Sequence, residues 1–183
     1  MKHSVLAAAA AAALMTTPAF AALPDGAKAP EFTAPAFLAG KPFTFDLAEA
    51  LKKGPVVLYF FPAAFTPGCS IEAHDFAQAV DKFHAEGATV IGVTAGNTNR
   101  LAAFSTDTKT CSGKFPLASD PHAAIAKTYN VTLAFGGSTI SNRTSYVIAP
   151  DDKVLLAYTN MAPNEHVERT LAAVTEWRAK HPN

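Results

Sequence analysis

Cysteine is scarce in this 183-residue sequence, which contains two, Cys69 and Cys111. They do not form a Cys-x-x-Cys pair, because the third position after Cys69 is Glu72, and this counts against dithiol exchange chemistry. Cys69, His74 and His84 match no metal-site spacing, which weakens a zinc reading. Charge of one sign is lacking too: 15 Lys and Arg face 15 Asp and Glu. Nothing in that balance points to nucleic acid or an anionic membrane as partner. Repeats and disordered linkers are absent, and the apolar run over residues 5–15 is well short of the ~20 residues that span a bilayer.

That run has a different reading. Lys2 and His3 precede it, and Ala19-Phe20-Ala21 follows as a small-x-small cleavage site, so residues 1–21 are expected to be a signal peptide removed after Ala21. No cysteine follows to take a lipid. The expected product is a soluble exported protein, periplasmic in a cell with two membranes, where disulfides can form. Residues 22–183 suit a single domain with a full core.

Apolar patterning sets out the elements. Residues 23–42, rich in proline, alanine and phenylalanine, read as an extended arm and turns, with a short edge strand at 43–45. The unbroken apolar run 56–61 predicts a strand buried on both faces. A helix is expected over 67–86, with Phe76, Val80 and Phe83 on one face and Gly87 as its stop. A strand at 89–93, a helix at 98–109 with Leu101 and Phe104 inward, a short extended piece at 115–117 and a helix at 122–129 follow. Pro150-Asp151-Asp152 is a turn signal between strands at 145–148 and 154–158. A closing helix at 165–180 places Val167, Leu171, Val174 and Trp177 for burial. Strand, helix, strand, hairpin and closing helix is the order of an α/β protein of the thioredoxin-like type, a three-layer sandwich around a mixed sheet.

The segment from Tyr59 to Ser70 places chemistry on that frame. Thr66-Pro67 is a helix start, threonine being a good N-cap and proline favoured next to it. Cys69 is then the third helical residue, and the Thr66 hydroxyl is expected to accept its backbone N–H. A thiol in such a first turn faces the positive end of the helix dipole, an environment that lowers thiol pKa values from about 8.5 toward ~3.5–7.5. Two readings stand at this point. Cys69 is a nucleophile, or it is half of a structural disulfide with Cys111.

Pro62-x-x-x-Thr66-x-x-Cys69 resembles the active-site signature of peroxiredoxins, and residues 65–72 (FTPGCSIE) look like the version in the bacterioferritin-comigratory, or PrxQ, group of the AhpC/TSA superfamily. Weaker similarities fall in the family's order at residues 26–32 (GAKAPEF), 115–121 (FPLASDP) and 143–148 (RTSYVI). The resemblance implies a thiol-dependent peroxidase that reduces hydrogen peroxide and organic hydroperoxides without metal, flavin or haem. Cys69 would be the peroxidatic cysteine, Thr66 would hydrogen-bond thiolate and peroxide, Pro62 would shield the site, and Arg143 would be the cation. On their own these residues have plainer readings: Thr66 as an N-cap, Pro62 as a strand terminator, Arg143 as a surface arginine.

The sulfenic acid left on Cys69 must be resolved by a second thiol. Many members of the group carry that cysteine five residues on, where this chain has His74, read here as a solvated helical histidine. Cys111, expected near the end of the helix that starts at Thr98, is where other members hold theirs. The resemblance therefore implies an intramolecular Cys69–Cys111 disulfide, with a buried bystander or a one-cysteine mechanism as the other readings. A thioredoxin-like or small-thiol donor would reduce the pair. A monomer is favoured over a ring, with a dimer also open. Glu72 reads equally as a partner for Arg143 or as a helix-dipole residue. Two further classes stay open: an exported thioredoxin-like thiol:disulfide oxidoreductase, and a non-enzymatic binding module with a structural disulfide.

Overall fold

A computed structural model describes residues 21–182. The signal peptide expected at residues 1–21 lies, apart from Ala21, outside the described residues. The elements run Thr33–Leu38 (β1), Lys41–Asp46 (β2), Leu47–Leu51 (α1), Val56–Phe60 (β3), Pro67–Ala85 (α2), Thr89–Thr94 (β4), Leu101–Thr106 (α3), Leu117–Ser119 (β5), Ala124–Thr128 (α4), Thr132–Phe135 (β6), Ser138–Ser141 (β7), Thr144–Ile148 (β8), Val154–Thr159 (β9) and His166–Lys180 (α5).

β3 is buried at every position, as a β-branched and aromatic run with no polar break requires. It pairs in parallel with β4 and antiparallel with β8. The whole sheet has the order β2-β1-β5-β4-β3-β8-β9 and mixes parallel with antiparallel pairs. Because side chains alternate across a strand, β3 supplies two cores. Val56, Leu58 and Phe60 pack with Leu47 and Leu51 of α1 and Ala126 of α4. Val57 and Tyr59 face the other way, onto Phe76 and Phe83 of α2, Leu101 and Phe104 of α3 and Val174 of α5. Helices thus cover both faces, the three-layer thioredoxin-like sandwich. Gly92 of β4 makes room in the second core, since a Cβ there would lie 2.7 Å from the Tyr59 ring. The ring instead stacks on Phe76 with centroids 4.4 Å apart.

Several expectations need correction. Residues 33–38, read as part of an arm, form β1, joined to β2 by Ala39 and Gly40, both at positive φ, as a tight hairpin turn demands. Pro35 hid this strand, but β5 pairs only with Ala36 and Phe37, so the proline stands outside that register. The helix expected over 98–109 is a 3-10 turn at Thr98–Arg100 followed by α3, which ends at Thr106. Cys111 therefore lies beyond the helix, in turns. Between the helix expected at 122–129 and the strand expected at 145–148, residues 132–141 form the β6–β7 hairpin around Gly136 and Gly137, both at positive φ. The extended piece near 115–117 is β5, shifted to Leu117–Ser119. Trp177 leaves the core and stacks on His181, with centroids 4.5 Å apart.

Candidate active site

The end of β3 and the start of α2 build the site. After Phe60 the chain turns through Phe65 at positive φ, and α2 begins with Thr66 as N-cap and Pro67 in its first turn. The expected side-chain cap is absent: the Thr66 hydroxyl donates instead to the carbonyl of Ala63 at 3.1 Å, closing the turn before the helix. Cys69 follows in the first helical turn, 1% exposed.

Arg143, immediately before β8, is no surface arginine, being 3% exposed. Its Nη2 donates to Cys69 Sγ at 3.4 Å, its Nε donates to the Met161 carbonyl at 2.9 Å, and its Nη1 donates to Glu72. One planar fork thus fixes three partners, a task suited to guanidinium. Gly68 allows this approach, because a Cβ there would lie 3.0 Å from Nη2. Burial works against the Arg143 charge, but Glu72 and Cys69 outweigh it and hold the group above its ordinary pKa. Glu72, one helical turn after Cys69, is fully buried, and burial pushes its carboxyl up to about 8 against the opposing pull of Arg143.

A cleft of about 1030 Å³ opens beside these groups, lined by Pro62, Thr66, Arg143, Met161 and, from the β6–β7 hairpin, Leu133 and Phe135. Pro62 is fixed in its wall by the Thr94 hydroxyl, which donates to its carbonyl at 3.1 Å. Four of the five sequence-predicted residues therefore meet: Cys69 and Arg143 in contact, Thr66 and Pro62 on the same cleft. Cys111 does not join them. It is buried in the α2–α3 core, shares that core with Cys69, and both thiols are free. Burial pushes the Cys111 thiol up, far outside the range of a reactive cysteine. The turns around it are bonded closely, Gly113 N–H to Ser105 O at 2.7 Å and Lys114 N–H to Cys111 O at 2.9 Å.

His166 and Ser145 escaped the sequence reading, and no spacing in the chain points to them. His166 Nδ1 lies 3.6 Å from Glu72 Oε1 and 2.8 Å from Ser145 Oγ, so the polar cluster extends from Cys69 through Arg143 and Glu72 into α5. Glu72 itself was legible, because a residue three after Cys69 shares its helix face. His74 is half-buried rather than solvated, its Nδ1 shielded and without a hydrogen-bond partner.

A buried thiol gripped by a buried arginine, in the first turn of the helix after a central strand, defines a thiol enzyme on a thioredoxin-like fold. The comparisons narrow that class. The model of the AhpC/TSA family matches residues 26–157. The chloroplastic peroxiredoxin Q of Sedum lineare is 33% identical over 153 residues, 83% of this chain and 78% of that protein. The peroxiredoxin Q of Populus jackii is 35% identical over 129 residues, 70% of this chain and 58% of its own length. The crystal structure of the peroxidoxin BcpB of Mycobacterium tuberculosis matches with a TM-score of 0.73 and 28% identity, covering 83% of this chain and 96% of that one. In fold alone, the reduced 2-Cys peroxiredoxin of Plasmodium vivax matches with a TM-score of 0.74 at 24% identity, over 87% of this chain and 99% of that one. The chain belongs to the AhpC/TSA family. It is a thiol-dependent peroxidase, and neither dithiol exchange nor a purely structural role is favoured.

Proposed function

We propose that Cys69 is the peroxidatic cysteine. Its thiolate attacks one oxygen of the peroxide, the S–O bond forming as the O–O bond breaks, and the departing oxygen leaves with a proton as water or alcohol. The contact between Arg143 Nη2 and Cys69 Sγ carries the reading. A fixed cation beside the sulfur favours the thiolate, and the same charge stabilises the oxygen that leaves. Thr66 turns its hydroxyl from Ala63 toward the peroxide, and Pro62 keeps water from the sulfur. The cleft admits hydrogen peroxide and organic hydroperoxides, its apolar wall of Leu133 and Phe135 supporting the larger ones.

Cys111 then resolves the Cys69 sulfenic acid, the new S–S bond releasing water. Cys111 is buried among bonded turns, and it reaches Cys69 through their local opening. A thioredoxin-like or small-thiol donor reduces the pair. Export to an oxidising compartment and action as a monomer complete the proposal, the first resting on the sequence of residues 1–21.

Stopped-flow oxidation of the reduced protein by hydrogen peroxide tests this in wild type, Cys69→Ser and Cys111→Ser. Cys69→Ser should lose the fast reaction, and Cys111→Ser should react at the wild-type rate but stop at sulfenic acid. A Cys69→Ser protein as fast as wild type would overturn the assignment.

A further inference from the structure

Glu72 presents an unsolved polar problem. Its Oε2 accepts from Arg143, but Oε1 is buried without a hydrogen-bond partner. His166 Nδ1 lies 3.6 Å from it. His166 Nε2 is 2.9 Å from the Asn160 carbonyl. A carbonyl only accepts, so Nε2 carries a hydrogen, and Nδ1 of the neutral ring is a lone pair. Ser145 Oγ, at 2.8 Å, can donate to it. A carboxylate oxygen aimed at that lone pair would be unsatisfied and repelled. A protonated carboxyl there removes the repulsion, and it can take that lone pair when the Ser145 hydroxyl turns away.

The charges give the same result. Cys69, Arg143 and Glu72 are in mutual contact through the guanidinium and shielded from water. Thiolate, guanidinium and carboxylate together carry one excess negative charge, which a low-dielectric interior disfavours. One proton on the Glu72–His166 pair restores neutrality while Cys69 is ionised.

We propose that Glu72 and His166 hold one proton in the reduced protein, the one Cys69 gives up, so that Glu72 acts through Arg143 as a positioning residue for the thiolate. The inference rests on Cys69 being the reactive thiol. In net terms Cys69–SH and Glu72–COO⁻ become Cys69–S⁻ and Glu72–COOH, exchanging through solvent. Reaction with a hydroperoxide ROOH then gives Cys69–SOH, Glu72–COO⁻ and ROH. The carboxyl proton ends in the alcohol's balance, and the cluster is neutral before and after. Burial already holds the Glu72 carboxyl up and the His166 ring down, in keeping with an acid beside a neutral imidazole. The other titratable groups facing the pair are Cys69 and Asp75 from α2, Tyr59 from β3, Tyr158 from β9, and Arg143 and Glu165. Asp75 opposes ionisation of Glu72, and Arg143 opposes protonation of His166.

Infrared spectroscopy of the reduced full-length chain, made with glutamate heavy-labelled at the side-chain carboxyl, tests the proton's place. Glu72 is the buried glutamate among the described residues, so a label-sensitive protonated-carboxyl band at neutral pH is its signature. On raising the pH, thiolate absorbance should appear first and the carboxyl band should vanish in a second, more alkaline step. One equivalent of peroxide at neutral pH should also remove the band. Glu72→Gln should lack the band and form its thiolate within about threefold of wild type, the neutral amide standing in for the neutral carboxyl. A thiolate formed at least tenfold more readily would mean that Glu72 is charged in wild type and would overturn the proposal. A band lost before or together with thiolate formation, or absent while thiolate is present, overturns the proposal even if the Gln variant fails to fold, and so does a band that survives oxidation. The titration needs no peroxide, so a protein inert to peroxide would sink the peroxidase assignment of Cys69 and leave this result readable.

Discussion

At the scale of single residues the site depends on one side chain holding three others in place. Arg143 bonds Cys69, Glu72 and Met161 through different nitrogens, and no ammonium reproduces that fork. Arg143→Lys should slow peroxide oxidation of Cys69 by ~10²-fold or more, the loss typical when a donor at a developing oxyanion is removed, measured by stopped flow at saturating and limiting peroxide. Gly68→Ala probes the same contact from the other side. Its methyl would press on Nη2, so oxidation should slow about tenfold while stability changes by less than ~1 kcal/mol, alanine being the better helix former. A rate unchanged in Gly68→Ala would mean that the guanidinium has slack in its seat.

At the scale of elements, the β6–β7 hairpin forms one wall of the cleft and turns on Gly136 and Gly137 at positive φ. Replacing both by alanine strains the turn without touching Cys69. The expected result is a raised KM for a bulky hydroperoxide such as cumene hydroperoxide, with the reaction of hydrogen peroxide little altered. This hairpin also shows where the sequence was readable. Gly-Gly between Thr132–Phe135 and Ser138–Ser141 is a hairpin signal, but the strands are mostly exposed and short, so no periodicity announced them. Asp46-x-x-Glu49 likewise marks α1, whose Asp46 side chain accepts from Glu49 N–H at 3.1 Å, but a helix of five residues is too short to show an apolar period. β3, α2, β4, β8 and α5 were legible because each buries a continuous face. Cys69, Thr66, Pro62 and Arg143 were legible through a motif. His166 was not, because its role comes from a contact between α5 and α2 that no local pattern encodes.

At the scale of the whole molecule, the buried polar cluster ties stability to pH in two opposing ways. Burial, aided by Arg143, lowers His166 to about 4. Its contribution to stability is therefore present above the unfolded value of 6.5 and lost as pH falls toward 4. Burial raises Glu72 from 4.5 to about 8, so its contribution is present below 4.5 and lost as pH rises through 8. Between 4.5 and 6.5 the two slopes oppose one another. Urea unfolding across that interval should show little pH dependence from the pair in wild type. Glu72→Gln should uncover the histidine slope, losing stability as pH falls, and His166→Asn should uncover the glutamate slope, losing it as pH rises.

On the proposed resolution by Cys111, which is packed inside the core, the meeting of the two sulfurs waits on residues 107–114 letting go of their bonds. Sulfenic acid forms faster as peroxide rises, whereas the opening of those turns takes no notice of peroxide at all. With Cys111 as the resolving thiol, the enzyme has a rated capacity, like a fuse. Below the rating every oxidised sulfur is recovered, and above it a second peroxide arrives first and the oxidation becomes permanent. The free energy that holds one short segment closed sets that rating, and substitutions there would change it without touching the chemistry.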